Sequence, residues 1–257
     1  MNLFLGLAIP FIGTSAGSFM VFFMKNKINK SIEKVLLGFA SGVMIAASVW
    51  SLLIPSIDMA TEQNRISWFP AAIGFILGIL FLLGLDSLIP HLHLHDEKPE
   101  GIRAELKKTT MLVLAVTLHN IPEGLAVGIA FGSIKYGING ITITSATLLT
   151  LGIGIQNFPE GSAISLPLRR LNYSRLKSFF YGMISAIVEP IFALIGSLLT
   201  LRLRILMPFL LSFAAGSMIY VIFVELIPES QKNEYKSLMA FLSIIGFVLM
   251  MILDITL

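Results

Sequence analysis

His119-Asn120-Ile121-Pro122-Glu123-Gly124 recurs, with small changes, as Gln156-Asn157-Phe158-Pro159-Glu160-Gly161 in the next apolar run of the chain. Each copy places a side chain able to ligate or polarise a cation four residues before a glutamate, with a helix-distorting proline between them. An ionisable group inside a membrane segment costs about 2.5–3.5 kcal/mol on insertion scales. Two such clusters are therefore not decoration. They point to a polar site built where two membrane helices face each other.

The surrounding sequence is that of a membrane protein. Of the 257 residues, 56% are hydrophobic and 13% charged, against about 25% charged in a soluble domain. Length alone would accommodate two soluble domains. The apolar runs argue otherwise, because they approach the roughly 17–25 residues that span a bilayer. They lie at roughly 3–24, 35–58, 69–90, 110–134, 140–168, 177–200, 205–228 and 237–256. The expectation is an all-α membrane protein: eight transmembrane helices in one polytopic domain, 1–257, embedded in a lipid bilayer. The first run lacks a basic leader and a small-residue cleavage site, and reads as a membrane helix rather than a signal peptide. There is no cysteine, so neither a disulfide framework nor a thiolate metal site is available.

The basic residues test this count, because cytoplasmic loops are enriched in Lys and Arg. All 18 except Arg65, Lys135, Arg202 and Arg204 fall at alternate connections. That alternation predicts eight spans with both termini outside. The net charge of +3 thus reflects topology, and no nucleic-acid partner is expected. One connection, 91–109, is long and polar, and carries His91, His93 and His95.

A second repeat links distant runs. Phe39-Ala40-Ser41-Gly42-Val43-Met44-Ile45, followed by Leu53-Ile54-Pro55, resembles Phe213-Ala214-Ala215-Gly216-Ser217-Met218-Ile219, followed by Leu226-Ile227-Pro228. The predicted topology runs these segments in opposite directions, the signature of an inverted-repeat transporter. Chance recurrence of small-residue packing strings is the competing explanation.

Residues three and four apart share a helix face. His119 and Asn120 can therefore both meet Glu123, and Gln156 and Asn157 can meet Glu160. Pro122 and Pro159 lack an N–H, which frees the carbonyls of Leu118 and Ile155. Glu189, followed by Pro190 in the sixth run, adds a third buried acid. Paired carboxylates repel unless protonated or neutralised, and a divalent cation neutralises both. Three glutamates, one histidine and no thiolate suit zinc, ferrous iron or manganese rather than copper(I).

These motifs resemble the ZIP (Zrt/Irt-like) metal transporter family, and the likeness extends over essentially the whole chain. The Gln156 form of the second motif is similar to its bacterial branch. The resemblance implies eight helices in a 3+2+3 arrangement, with helices 1–3 and 6–8 as a pseudo-symmetric inverted repeat around helices 4 and 5. It implies a binuclear site. One half comprises His119, Glu123, Gln156 and Glu160. The other comprises Asn120, Glu123, Asn157, Glu160 and Glu189. Some members carry an acid where this chain has Asn157. The implied function is transport of zinc, or of iron(II), manganese or cadmium, into the cytoplasm across the plasma membrane. A homodimer is common in that family, and its loop between helices 3 and 4 is often histidine-rich. His91, His93 and His95 are accordingly candidate metal collectors, the alternative being a solvated loop with chance histidines.

Two other functions compete. A proton-linked or organic-cation carrier could use the same glutamates as relays. An intramembrane metal-dependent hydrolase would be expected to show His-Glu-x-x-His, which this sequence lacks, so no enzymatic activity is expected. Asp58, Asp86 and Glu225 read as polar residues near helix ends, although Glu225 and Glu229 could line an inner exit. Trp50 and Trp68 fit an interfacial aromatic belt.

Overall fold

The computed structural model describes residues 3–23, 30–88, 108–138, 141–231 and 236–256, and every regular element among them is helical. His91, His93 and His95 lie outside the described residues. The elements join into eight rods. The first is Leu3–Phe19 with a short 3-10 turn, Met20–Phe22. The second runs Lys30–Ala47, Ser48–Leu53 and Ile54–Glu62. The third, fourth and fifth are Trp68–Leu88, Lys108–Lys135 and Ile143–Arg170. The sixth joins Arg175–Ser185 to Val188–Arg202. The seventh joins Arg204–Leu206, Met207–Val221, Ile222–Leu226 and Ile227–Gln231. The eighth is Lys236–Thr256. Among the described residues, six rods are long and apolar enough to cross a membrane by length and composition.

Prolines shape these rods in three ways. Pro122 and Pro159 sit inside helices that continue past them, so neither ends its rod. Pro55 and Pro228 each follow a π-helical stretch. There the N–H of Ile54 reaches the carbonyl of Val49, and that of Ile227 reaches Ile222, five residues back rather than four. A proline ring clashes with the carbonyl four residues earlier, and the wider turn relieves that clash. Pro190 breaks the sixth rod outright. The N–H of Glu189 turns back only three residues, to Ala186 at 3.0 Å, so the carbonyl of Ser185 is not taken by that N–H.

The rods pack in close pairs: first with fifth, fourth with sixth, third with seventh, and second with eighth. The second also touches the fifth, and the fourth the seventh. Glycine sets the approach. A Cβ on Gly161 would lie 1.9 Å from the carbonyl oxygen of Thr14, and one on Gly124 would lie 2.5 Å from that of Glu189. Backbone meets backbone at both places, and both glycines end the repeated motif. The outer faces carry exposed Ile73, Leu77, Leu80, Phe241, Ile244 and Ile252 on the third and eighth rods. Such an apolar exterior is stable against lipid, where no hydrophobic effect drives side chains inward. Trp68 is exposed, whereas Trp50 is half-buried against Phe247, with ring centroids 5.5 Å apart.

Candidate metal site

The fourth, fifth and sixth rods bring every motif residue to the interior. His119, Asn120, Glu123, Gln156, Asn157, Glu160 and Glu189 are all buried, none more than 6% exposed. The motif spacing achieves this, since ligands at positions 1, 2 and 5 of each copy fall on adjacent strips of one helix face. The break at Pro190 delivers Glu189 to the same place from the sixth rod.

Amides stand among the acids. Gln156 donates from Nε2 to Glu123 Oε1 at 2.7 Å and also contacts Asn157 Oδ1. Asn157 lies beside both Glu123 and Glu189, and its Nδ2 donates to the carbonyl of Pro10 at 3.4 Å. Asn120 donates from Nδ2 to the Ser185 carbonyl at 3.2 Å, taking up the group that the Pro190 break frees. Thr14 donates to Glu189 Oε1 at 3.0 Å. No three His, Cys, Asp or Glu side chains among the described residues surround one point closely enough to cage an ion. The polar cluster mixes carboxylates with amides instead.

Its acceptors outnumber its donors. Asn120 Oδ1, Glu123 Oε2, Gln156 Oε1, Glu160 Oε2 and Glu189 Oε2 are buried and accept no hydrogen bond from a described residue. A buried unsatisfied acceptor costs about 1–3 kcal/mol, and more when charged. Five oxygens short of positive partners are an electrostatic match for a cation.

The other end of the cluster holds a partner that sequence spacing did not assign to the motif. His119 Nδ1 meets Glu225 Oε2 on the seventh rod. Of the two readings of Glu225, a polar residue near a helix end and a lining residue of an inner exit, the first is corrected by this pairing, and Glu225 lies within the wide turn Ile222–Leu226. Asp86 and Glu229 are buried too, and Asp58 is exposed. His119, Glu160, Glu225 and Glu229 line a cavity of about 30 Å³ with Leu37, Val116, Ala163 and Leu226. The internal repeat carried a signal for Glu225. An acid, Glu225, stands directly before Leu226-Ile227-Pro228, where the second run has Leu52 before Leu53-Ile54-Pro55. Thr14 and the Pro10 and Ser185 carbonyls had no signal, because a hydroxyl or a carbonyl in an apolar run is unremarkable until its partner is known.

Comparison with known proteins decides the family. The family model described as ZIP zinc transporter matches residues 95–254. This chain belongs to the ZIP family. It is 34% identical to zinc transporter ZIP11 of Homo sapiens, over 94% of this chain and 93% of that protein. It is also 34% identical to zinc transporter ZIPB of Bordetella bronchiseptica, over 97% of this chain and 79% of the relative. Zinc transporter ZupT of Streptococcus mutans is 32% identical, over 96% and 94%. The relatives span animals and bacteria. This ZIP protein is a multi-pass membrane transporter of divalent metal ions, and its relatives are carriers, not enzymes.

Proposed function

We propose that this ZIP protein carries zinc through a binuclear site between its fourth, fifth and sixth rods. His119, Glu123, Gln156 and Glu160 form one half. Asn120, Glu123, Asn157, Glu160 and Glu189 form the other, with Glu123 and Glu160 bridging. The observation that carries this reading is the set of five buried oxygens that have no donor among the described residues. Gln156 and Asn157 direct N–H groups toward neighbouring acceptors, so a cation would be received as their amide carbonyls turn toward it. Amides are weak ligands and let go, as a carrier requires. Iron(II), manganese and cadmium fit the same borderline-to-hard ligand set. A 30 Å³ cavity admits about two water-sized bodies, which disfavours an organic cation.

The proposal includes the 3+2+3 arrangement. A two-fold exchange of the first three rods with the last three, and of the fourth with the fifth, predicts matched pairings. First-with-fifth should mirror sixth-with-fourth, and third-with-seventh should mirror eighth-with-second. Those four pairs are the principal contacts. The π-helical stretches before Pro55 and Pro228 also sit at matched places in the Phe-Ala repeat. The split of basic residues supports termini on the outside, and import into the cytoplasm across the plasma membrane follows from the family resemblance. A homodimer and metal collection by His91, His93 and His95 complete the proposal. Uptake of radioactive zinc into sealed liposomes tests the core of it. Purified protein that binds zinc but moves none across the bilayer would refute transport.

Two further results are expected. Binding requires neutral imidazole and ionised carboxylates, so it should release protons, and affinity should fall as the medium is acidified. Calorimetry in two buffers of different ionisation enthalpy checks this. Equal heats would mean no net proton release on binding, and the ligand set would need revision.

Asn157→Asp should add one charge to the second half and tighten it, so that a second zinc binds per chain at lower concentration. It should also slow turnover if release from that half limits the cycle. Equilibrium dialysis, wild type against variant, measures the change. Unchanged stoichiometry and affinity in folded protein would place Asn157 outside the metal site.

A further inference from the structure

The first rod carries no residue of either motif, yet it reaches the metal site through two groups. Thr14 is fully buried. Its hydroxyl lies 3.0 Å from Glu189 Oε1 and 3.4 Å from the carbonyl of Pro10. One hydroxyl has one proton, and the shorter contact, to the stronger acceptor, takes it. The Pro10 carbonyl is then left for Asn157 Nδ2, also at 3.4 Å. One helical turn of the first rod thus engages both Asn157 and Glu189.

The turn is rigidly placed. A Cβ on Gly161 would lie 1.9 Å from the Thr14 carbonyl oxygen, and one on Gly13 would lie 2.2 Å from that of Gly154. The first and fifth rods touch backbone to backbone at Gly13 and Thr14, within one turn of Pro10. Neither group can retreat without separating the helices.

We propose that Thr14 is a positioning residue that sets metal preference, by engaging one oxygen of Glu189 so that the other alone faces the cation. Glu189 Oε2 is the oxygen that accepts no hydrogen bond from a described residue, and Oε1 is the one Thr14 holds. A carboxylate with both oxygens available can ligate through both, a mode that suits larger ions of higher coordination number. A carboxylate with one oxygen engaged gives a single ligand atom, which suits four-coordinate zinc. The hydroxyl therefore favours zinc over a larger ion such as cadmium. This inference rests on the binuclear reading of Glu189.

The test is uptake of zinc and cadmium into proteoliposomes carrying wild type, Thr14→Val, Thr14→Ser or Glu189→Gln. Valine keeps the volume and removes the hydroxyl. It should raise the half-saturating zinc concentration roughly ten-fold, the scale of one lost hydrogen bond to a charged group. The maximal rate should change little, and the zinc-over-cadmium preference should shrink. Serine keeps the hydroxyl and should restore both. Thr14→Val with wild-type half-saturation and preference, or Thr14→Ser as impaired as Thr14→Val, would overturn the role, the second result marking the methyl group as the working part. Should Thr14→Val not assemble, Thr14→Ala removes the same hydroxyl and is read in the same way. Glu189→Gln separates the two levels. Glu189→Gln impaired beside an unaffected Thr14→Val removes only the role of Thr14. Glu189→Gln at wild-type affinity removes Glu189 from the metal site, and Thr14 with it.

Discussion

Glu123→Ala is expected to abolish zinc uptake while leaving the protein as stable as wild type or more so. Glu123 is fully buried, accepts from Gln156 at 2.7 Å, and keeps Oε2 without a donor. In the proposed site it bridges both ions. Loss of an outer-shell partner alone typically costs 10–100-fold in metal affinity, so loss of a bridging ligand should lower uptake by more than about a hundred-fold. Stability should move the other way. A carboxylate held out of water is costly to bury, and alanine removes that cost. Glu160→Ala should behave alike, since it occupies the same place in the second motif. The measurement pairs proteoliposome uptake with thermal melting in detergent. Wild-type transport by both variants would refute the site. Lost transport with a collapsed melting temperature would show a structural role instead.

Gly161→Ala should be among the most damaging single-methyl changes at the described residues, and it acts directly on the helix carrying Thr14. The added Cβ would lie 1.9 Å from the Thr14 oxygen, 2.8 Å from its carbonyl carbon and 2.9 Å from the Ser18 nitrogen. All three atoms are backbone, so no side-chain rotation relieves the clash. The first rod must move away from the fifth, which also pulls Thr14 and Pro10 from Glu189 and Asn157 and breaks the Ser18 hydrogen bond to the Gly161 carbonyl. Overpacking typically costs about 1–3 kcal/mol, occasionally more. The upper end corresponds to a melting-temperature drop of about 10 °C, with transport impaired in the protein that survives. Gly84→Ala is the control. A Cβ there meets nothing within 4 Å, and alanine favours a helix by roughly 0.5–1 kcal/mol over glycine. Equal melting of the two variants would mean that the first and fifth rods are not held by this contact.

The eight helices were legible because apolar runs long enough to span lipid have few other uses. Their ends were less so. The second rod begins at Lys30 and ends at Glu62, beyond the apolar run at both ends, since helical hydrogen bonding continues into polar turns that hydropathy does not mark. The six motif residues were found from spacing, because a ligand and an acid four apart must share a face, and Glu189 from being an acid before a proline within an apolar run. Only the tertiary structure decided what surrounds them. Thr14 meets Glu189 across 175 positions, and Asn157 meets the Pro10 carbonyl across 147. Such pairings depend on which rods pack together and at what height. The π-helical turns show the same division. Pro55 and Pro228 can be read in the sequence, but whether proline widens a turn, is carried through as at Pro122, or breaks the helix as at Pro190 depends on the neighbours that receive the freed groups. Sequence determined the number of helices, the repeated motif and the chemistry of its ligands. Packing decided that Glu225 faces His119 and that Thr14 of the first rod meets Glu189, because partner and distance are properties of the assembled bundle.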